Sequence, residues 1–230
     1  MKYLVIGLGI YGANLARDLV AMGHEVVGAD INRATIDAIK DYITTAYIVD
    51  TTEEIALGVL PLRNVDLVIV AIGENFGASV KTIALLKKAG VKTIYARAID
   101  ELHESILQSF RVDRILKPEQ HAAADLTREM SLGADVVSMA VTSDSSVIKC
   151  AAPAGIVGLR YADLRFEDDY GMRLIAVTRP EPVTNVLGVT HEEPRQLDTT
   201  APGLTVADGD TLLLYGDVSS FKNLCKALGR

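Results

Sequence analysis

Lys2-Tyr3-Leu4-Val5-Ile6 is a short apolar run that leads directly into Gly7-Leu8-Gly9-Ile10-Tyr11-Gly12. Ala13 to Met22 then reads as a helix with Leu15, Ala16, Leu19 and Val20 on one side, closed by Gly23-His24. Glu25 to Asp30 reads as a second strand. A strand, Gly-x-Gly-x-x-Gly, a helix, a strand and an acid, in that order, suit few folds. The first glycine permits a tight turn, the second lets a pyrophosphate approach the backbone, and the third lets the helix pack close to the sheet. The helix start offers unpaired N–H groups and partial positive charge to phosphate oxygens. Asp30 comes 18 residues after Gly12, where a carboxylate accepts hydrogen bonds from ribose hydroxyls. An acid there repels a 2′-phosphate and disfavours NADP. NAD, ATP, ADP and AMP share the adenosine and phosphate parts, and the signature alone does not choose among them.

The alternation continues. Asn32–Asp41 reads as a helix and Ala46–Asp50 as a third strand. Thr51-x-x-Glu54 has the spacing of a capping box, followed by a short helix ending near Pro61. Val65–Ile72 is the most apolar stretch, as expected for the buried centre of a parallel sheet. Gly73-Glu74-Asn75 turns into a helix stopped by Gly90, and Val91–Ala96 is a fifth strand. Asp100 caps another helix, and Val112–Leu116 is a sixth strand. Six strands alternating with helices predict an α/β fold, a Rossmann-like doubly wound parallel sheet with ligand at the carboxyl ends of its strands. Pro118 opens a further helix to about Leu132.

Past Gly133 the pattern changes. Asp135–Val141, Ser146–Ala151, Arg173–Thr178 and Thr211–Tyr215 read as strands, with helices at Tyr161–Phe166 and Ser219–Leu228. Residues 179–207 are rich in Pro, Thr, Glu and Gly and predict a long loop or an extended hairpin. The expected organisation is a nucleotide domain over 1–133 and a small α+β C-terminal domain over 134–230, with a hinge near residues 131–145.

Catalytic chemistry is hard to find. The four histidines have no metal-type i,i+4 partner, and there is no Gly-x-Ser-x-Gly elbow. A dehydrogenase needs a proton donor and a substrate pocket, and the second half offers no obvious acid–base pair. Asp163, Glu167, Asp168 and Asp169 read as a solvated face. Cys150 and Cys225 are far apart and read as reduced, buried thiols. The net charge of −7 and the lack of a basic stripe argue against nucleic-acid binding. No apolar run approaches the ~20 residues that span a bilayer, and Met1-Lys2 leads straight into the first strand without a signal peptide. Action at a membrane therefore requires a membrane-protein partner. A nucleotide domain without visible catalysis suggests a sensor, in which ligand affinity differs between two arrangements. A small NAD-dependent oxidoreductase and a soluble nucleotide sensor without a membrane partner are the alternatives.

Gly7-Leu8-Gly9-x-x-Gly12, Asp30-Ile31-Asn32, Val70-Ala71-Ile72-Gly73 and Arg114-Ile115-Leu116-Lys117-Pro118-Glu119 resemble the RCK (regulator of conductance of potassium) domain. The chain is similar to the Trk/Ktr-type cytosolic subunits of bacterial potassium uptake systems along nearly its whole length. The resemblance implies a non-enzymatic regulatory subunit, cytoplasmic and peripheral to the inner face of the membrane. It implies homodimers assembled into a ring, an octamer, under a membrane-embedded potassium pore subunit gated by an adenine nucleotide. It places Gly7, Gly9 and Gly12, with Ile10 and Tyr11 between them, against the phosphates. Asp30 would hold the ribose, with Ile31 and Asn32 beside it. Asp50 and Thr51 would line the adenine pocket, and Ala71, Ile72 and Gly73 would form its wall. Arg97 would approach the phosphates, and Glu119 matches a position that binds a divalent cation, Mg²⁺ or Ca²⁺. One departure is Ile10, where ATP-responsive members carry an arginine. Losing that charge-assisted bond costs roughly 1.5–3 kcal/mol and leaves room for NAD, NADH, ADP or AMP.

Overall fold

The structure is a computed structural model describing residues 1–133, 136–185 and 188–229. The chain divides into two compact units, Met1–Gln120 and His121–Arg230.

The first unit is built on a six-stranded parallel sheet of β1 (Lys2–Ile6), β2 (Glu25–Asp30), β3 (Thr45–Ile48), β4 (Leu67–Val70), β5 (Ile94–Arg97) and β6 (Arg114–Leu116). Its order is β3-β2-β1-β4-β5-β6. The chain steps outward from β1 in one direction and then from β4 in the other, so the switch point lies between their carboxyl ends. Alternate residues of β1 enter two different cores. Leu4 and Ile6 join Ile83, Leu86 and Leu107 on one face, while Tyr3 and Val5 join Ala16, Ile36 and Ile39 on the other. Burial on both faces explains why β1 and β4 are continuous apolar runs rather than alternating ones.

The helices are α1 (Ile10–Ala21), α2 (Arg33–Ile39), α3 (Glu54–Leu57), α4 (Phe76–Lys88), α5 (Glu101–Ser109) and α6 (Pro118–Leu132). Asn32, Asn75 and Asp100 cap α2, α4 and α5 through side-chain oxygens that accept backbone N–H bonds. α6 has the bounds its proline and periodicity predict, and the boundary between the units falls within it. Helix α1 differs from expectation by starting at Ile10 rather than Ala13, which puts Gly12 inside the helix. The Thr51–Glu54 capping box does not form. The residue before α3 is Glu53, without a side-chain cap, and the Thr51 hydroxyl instead meets that of Thr82 at 2.8 Å. A buried hydroxyl partner from α4 displaced the local one.

The second unit holds a five-stranded antiparallel sheet, in the order β10-β9-β11-β8-β7. Its strands are β7 (Val137–Ala140), β8 (Ser145–Ala151), β9 (Arg173–Thr184), β10 (Thr190–Gln196) and β11 (Thr211–Asp217). The expected start of its first strand at Asp135 lies outside the described residues. Ile148, Cys150, Leu212 and Leu214 point to one core face, where Phe221 and Leu224 of α8 (Val218–Leu228) pack with Phe166 of α7 (Phe166–Tyr170). The single helix expected at Tyr161–Phe166 is a 3₁₀ turn, Tyr161–Asp163, followed by α7. Within the expected 179–207 loop or hairpin, the end of β9 pairs antiparallel with β10, from Thr184 opposite Thr190 to Thr178 opposite Gln196, with Pro180 opposite Pro194. Every residue of β10 is exposed, which is why no apolar period marks it. Asp163, Glu167, Asp168 and Asp169 are exposed and pair with Arg160, Arg173 and Arg165.

Candidate functional site

The site is built at the switch point, where β1 ends. Gly7 has φ +88°, and a Cβ there would lie 2.9 Å from the Ile72 backbone nitrogen. That is both the left-handed region and a close approach, so only glycine fits without strain. A Cβ at Gly12 would run into the Gly7 carbonyl oxygen. The third glycine therefore lets the first turn of α1 close over the end of β1. Gly9 differs from both, because nothing lies within 4 Å of where its Cβ would stand. It occupies the N-cap position of α1, and no side chain caps that helix. An open face below an uncapped helix start is what a phosphate needs: N–H donors and room to reach them.

Asp30 ends β2 beside this loop. One carboxylate oxygen accepts the Leu8 N–H at 2.7 Å and the other accepts the Asn32 N–H at 2.8 Å. The carboxylate thus ties the glycine loop to the start of α2. An ionised carboxyl has about four acceptor positions, so two remain for ribose hydroxyls. Asn32 turns its side-chain oxygen to the Ala34 N–H, which fixes the start of α2 and leaves the amide NH₂ outward. Ile10 and Ile31 are 88% and 66% exposed, two bare apolar side chains at the ends of the loop and of β2.

Asp50 and Thr51 follow β3. Asp50 accepts from the Thr52 N–H at 2.9 Å and hydroxyl at 2.7 Å. The Thr52 hydroxyl, and then its N–H, hold the Asp50 carboxyl below the usual carboxylate range. Thr51 is only 5% exposed, with its hydroxyl on Thr82. It supports the loop from inside and offers no open hydroxyl. Ala71 is buried beneath the glycine loop, near Gly12, and Ile72 lies against Gly7.

On the other side of the switch point, the structure assembles Tyr11, Gly73, Arg97 and Glu119. The guanidinium of Arg97 lies where a Cβ on Gly73 would be and pairs through Nη2 with Glu119 in the first turn of α6. It also lies 5.7 Å from the centre of the Tyr11 ring, a cation–π distance. Burial raises the Tyr11 phenol above its ordinary value, opposed by Arg97. The Arg97 Nε is buried and has no hydrogen-bond partner. Sequence reasoning named both members of this ion pair and missed that they meet. The available signal was the order of elements, since Arg97 ends β5, β6 pairs with β5, and Glu119 opens the next helix.

A divalent cation does not fit these donors. The Glu119 carboxylate already faces a guanidinium, and among the described residues no group of three or more His, Cys, Asp or Glu is placed to hold a metal. Neither is any described helix long and apolar enough to cross a membrane.

The TrkA-N domain family matches residues 3–118, which span nearly all of the parallel sheet and every site residue named above except Glu119. The chain is 32% identical over 176 residues to the Ktr system potassium uptake protein A of Bacillus subtilis (strain 168), covering 76% of this chain and 79% of that protein. The Ktr system potassium uptake protein C of the same organism is 32% identical over 182 residues, 79% of this chain and 82% of that one. Among solved structures, the GsuK channel bound to NAD superposes with a TM-score of 0.59 at 14% identity, over 100% of this chain and 39% of the channel chain. That likeness shows the fold. Sheet order, glycine loop and sequence identity agree: the chain belongs to the TrkA-N domain family and is related to the Ktr-system potassium uptake proteins over three quarters of its length.

Proposed function

We propose that this protein is a cytosolic regulatory subunit that binds an adenine nucleotide and thereby gates a potassium channel or transporter. The observation that carries it is the pairing of an open, uncapped α1 start at Gly9 with an Asp30 carboxylate fixed by two backbone donors. Together they offer an anion seat and a ribose seat one loop apart. The Ktr relatives are named as potassium uptake proteins, and GsuK is a channel that binds NAD, which supports the same assignment here. The subunit works without turnover, as a homodimer in a ring of eight beneath a membrane pore subunit. Residues 1–133 form its nucleotide domain and 134–230 its second domain. Gly7, Gly9, Gly12 and Tyr11 seat the phosphates, Asp30, Ile31 and Asn32 the ribose, and Asp50 with Ala71, Ile72 and Gly73 the base and its surroundings. Exposed Ile10 brings no cation to a terminal phosphate, so NAD, NADH, ADP or AMP fit better than ATP.

Calorimetry of the ligand-free protein against NAD, NADH, ATP, ADP and AMP, with and without Mg²⁺ or Ca²⁺, tests the reading. Saturable binding to assemblies larger than a dimer is expected, with ATP no tighter than ADP. A monomer that binds none of these nucleotides would refute it. Redox turnover of nicotinamide would replace it with an oxidoreductase.

A further inference from the structure

We infer that Glu119 is the resident anion of Arg97, and that a nucleotide phosphate binds by displacing it, so that Glu119 sets how strongly the site discriminates among ligands by phosphate charge. The inference rests on the nucleotide reading above and adds to it a residue that acts through another.

Four features lead there. Arg97 is held back into the protein, with its side chain 20% exposed, while its partner Glu119 is 59% exposed and free to swing away. Gly73 makes the space, because any Cβ at that position would collide with the guanidinium. Tyr11, in the first turn of α1, faces the same guanidinium, and Gly73 beneath it follows Ile72, which packs on Gly7, so this cation lies on the side of the glycine loop. Finally, Glu119 engages Nη2 and leaves the buried Nε without a partner. The guanidinium is a planar fork suited to two parallel bonds with one anion. Here the fork is incompletely used.

A carboxylate and a phosphate cannot share this cation at no cost. If Glu119 stays, it repels the phosphate at close range; if it leaves, its ion pair is lost. Either way the penalty falls on the phosphate part of the ligand and not on the adenosine. A ligand with more charge on its terminal phosphate displaces the carboxylate more readily. The same exchange releases the first turn of α6, where Glu119 sits, whenever the site is filled.

The test is competition binding of adenosine, AMP, ADP and NAD to the full chain, its Glu119→Gln and Arg97→Ala variants and the double variant, each with and without Mg²⁺. Glu119→Gln should bind AMP and ADP about fivefold tighter, the scale of one partly exposed ion pair, and adenosine unchanged. Arg97→Ala should weaken AMP and ADP, and in that background the gain from Glu119→Gln should shrink to under twofold. Glu119 is mostly exposed, so the glutamine variant should melt as the wild type does. Weaker ADP binding by Glu119→Gln, above all only when Mg²⁺ is present, would make Glu119 a metal ligand and overturn the inference. An equal gain for adenosine would do the same, by showing a general change of shape. A wild-type chain that binds no adenine nucleotide at all would sink the nucleotide reading itself; one that binds them with no effect of Glu119→Gln would sink this inference alone.

Discussion

Asp30→Ala removes the side-chain acceptors of two backbone N–H groups at once, those of Leu8 and Asn32. The Leu8 N–H lies in a partly buried position and loses a 2.7 Å bond to a charged oxygen. Bonds to charged groups contribute about 1.5–3 kcal/mol, and a donor left without water loses most of that. The Asn32 N–H is exposed and rehydrates, so its 2.8 Å bond adds about 0.5 kcal/mol. The ligand-free first unit should therefore lose about 2–3 kcal/mol. With a midpoint entropy near 2.1 cal/mol/K per residue, a unit of ~120 residues shifts by ~4 °C per kcal/mol, so the expected fall in Tm is about 10 °C. Asp30→Asn keeps one acceptor oxygen and should lose about half as much. Differential scanning calorimetry without ligand reads both. The Kd values for NAD, ADP and AMP should weaken by a common factor, because the ribose is their shared part. An Asp30→Ala protein that melts within about 2 °C of the wild type would refute the claim that this carboxylate holds the glycine loop.

The second unit contains a buried ionic knot whose removal should be felt there and not in the first. Asp210 is fully buried and accepts from Arg179 Nε at 2.6 Å and Nη2 at 2.7 Å, the Tyr161 hydroxyl at 2.7 Å and the Ala207 N–H at 2.9 Å. Asp210→Ala strands the Arg179 Nε, the Tyr161 hydroxyl and the Ala207 N–H, leaves Nη2 only its bond to the Thr205 carbonyl, and should cost about 3–5 kcal/mol, read as lost hydrogen-exchange protection in β9 and β11 with β1 and β4 unchanged. A loss below about 1 kcal/mol would show that the knot is dispensable. His103 carries a pH dependence. Burial holds its imidazole below the ordinary value of 6.5, with Asp100 pulling weakly the other way. The unfolded chain then takes up the proton first, so stability falls as the pH drops below 6.5 and is unaffected above it. Urea titrations between pH 5 and 7.5 should show a steeper acid loss for the wild type than for His103→Gln; parallel profiles would exclude His103 as the cause.

Much of the architecture is readable along the chain because its signals are local. Pro118 and the spacing behind it mark α6, Asp100 marks the start of α5, and the uninterrupted apolar runs mark the central strands. Readings failed where a partner came from elsewhere. Thr51 has a capping-box spacing, yet Thr82, 31 residues on, took its hydroxyl. The stretch Thr190–Gln196 carries no period because β10 is exposed throughout, so burial never sorted its residues. The helix expected over Tyr161–Phe166 is instead a 3₁₀ turn at Tyr161–Asp163, with α7 starting only at Phe166, because Tyr161 and Phe166 are both buried and, five residues apart, do not share a helical face.

The same division runs through the site. The amino-acid sequence by itself determined the glycine loop and its acid. The left-handed backbone at Gly7, the contact of Gly12 with the Gly7 carbonyl and the open start of α1 follow from sterics over a few adjacent residues. Only the tertiary structure decided that Arg97 faces Glu119 across Gly73 and Tyr11, and that Asp30 ties Leu8 to Asn32. Those partners lie up to 86 residues apart, from Tyr11 to Arg97. Backbone preference is local, whereas a charged or hydrogen-bonding group takes whichever partner the order of strands brings within reach.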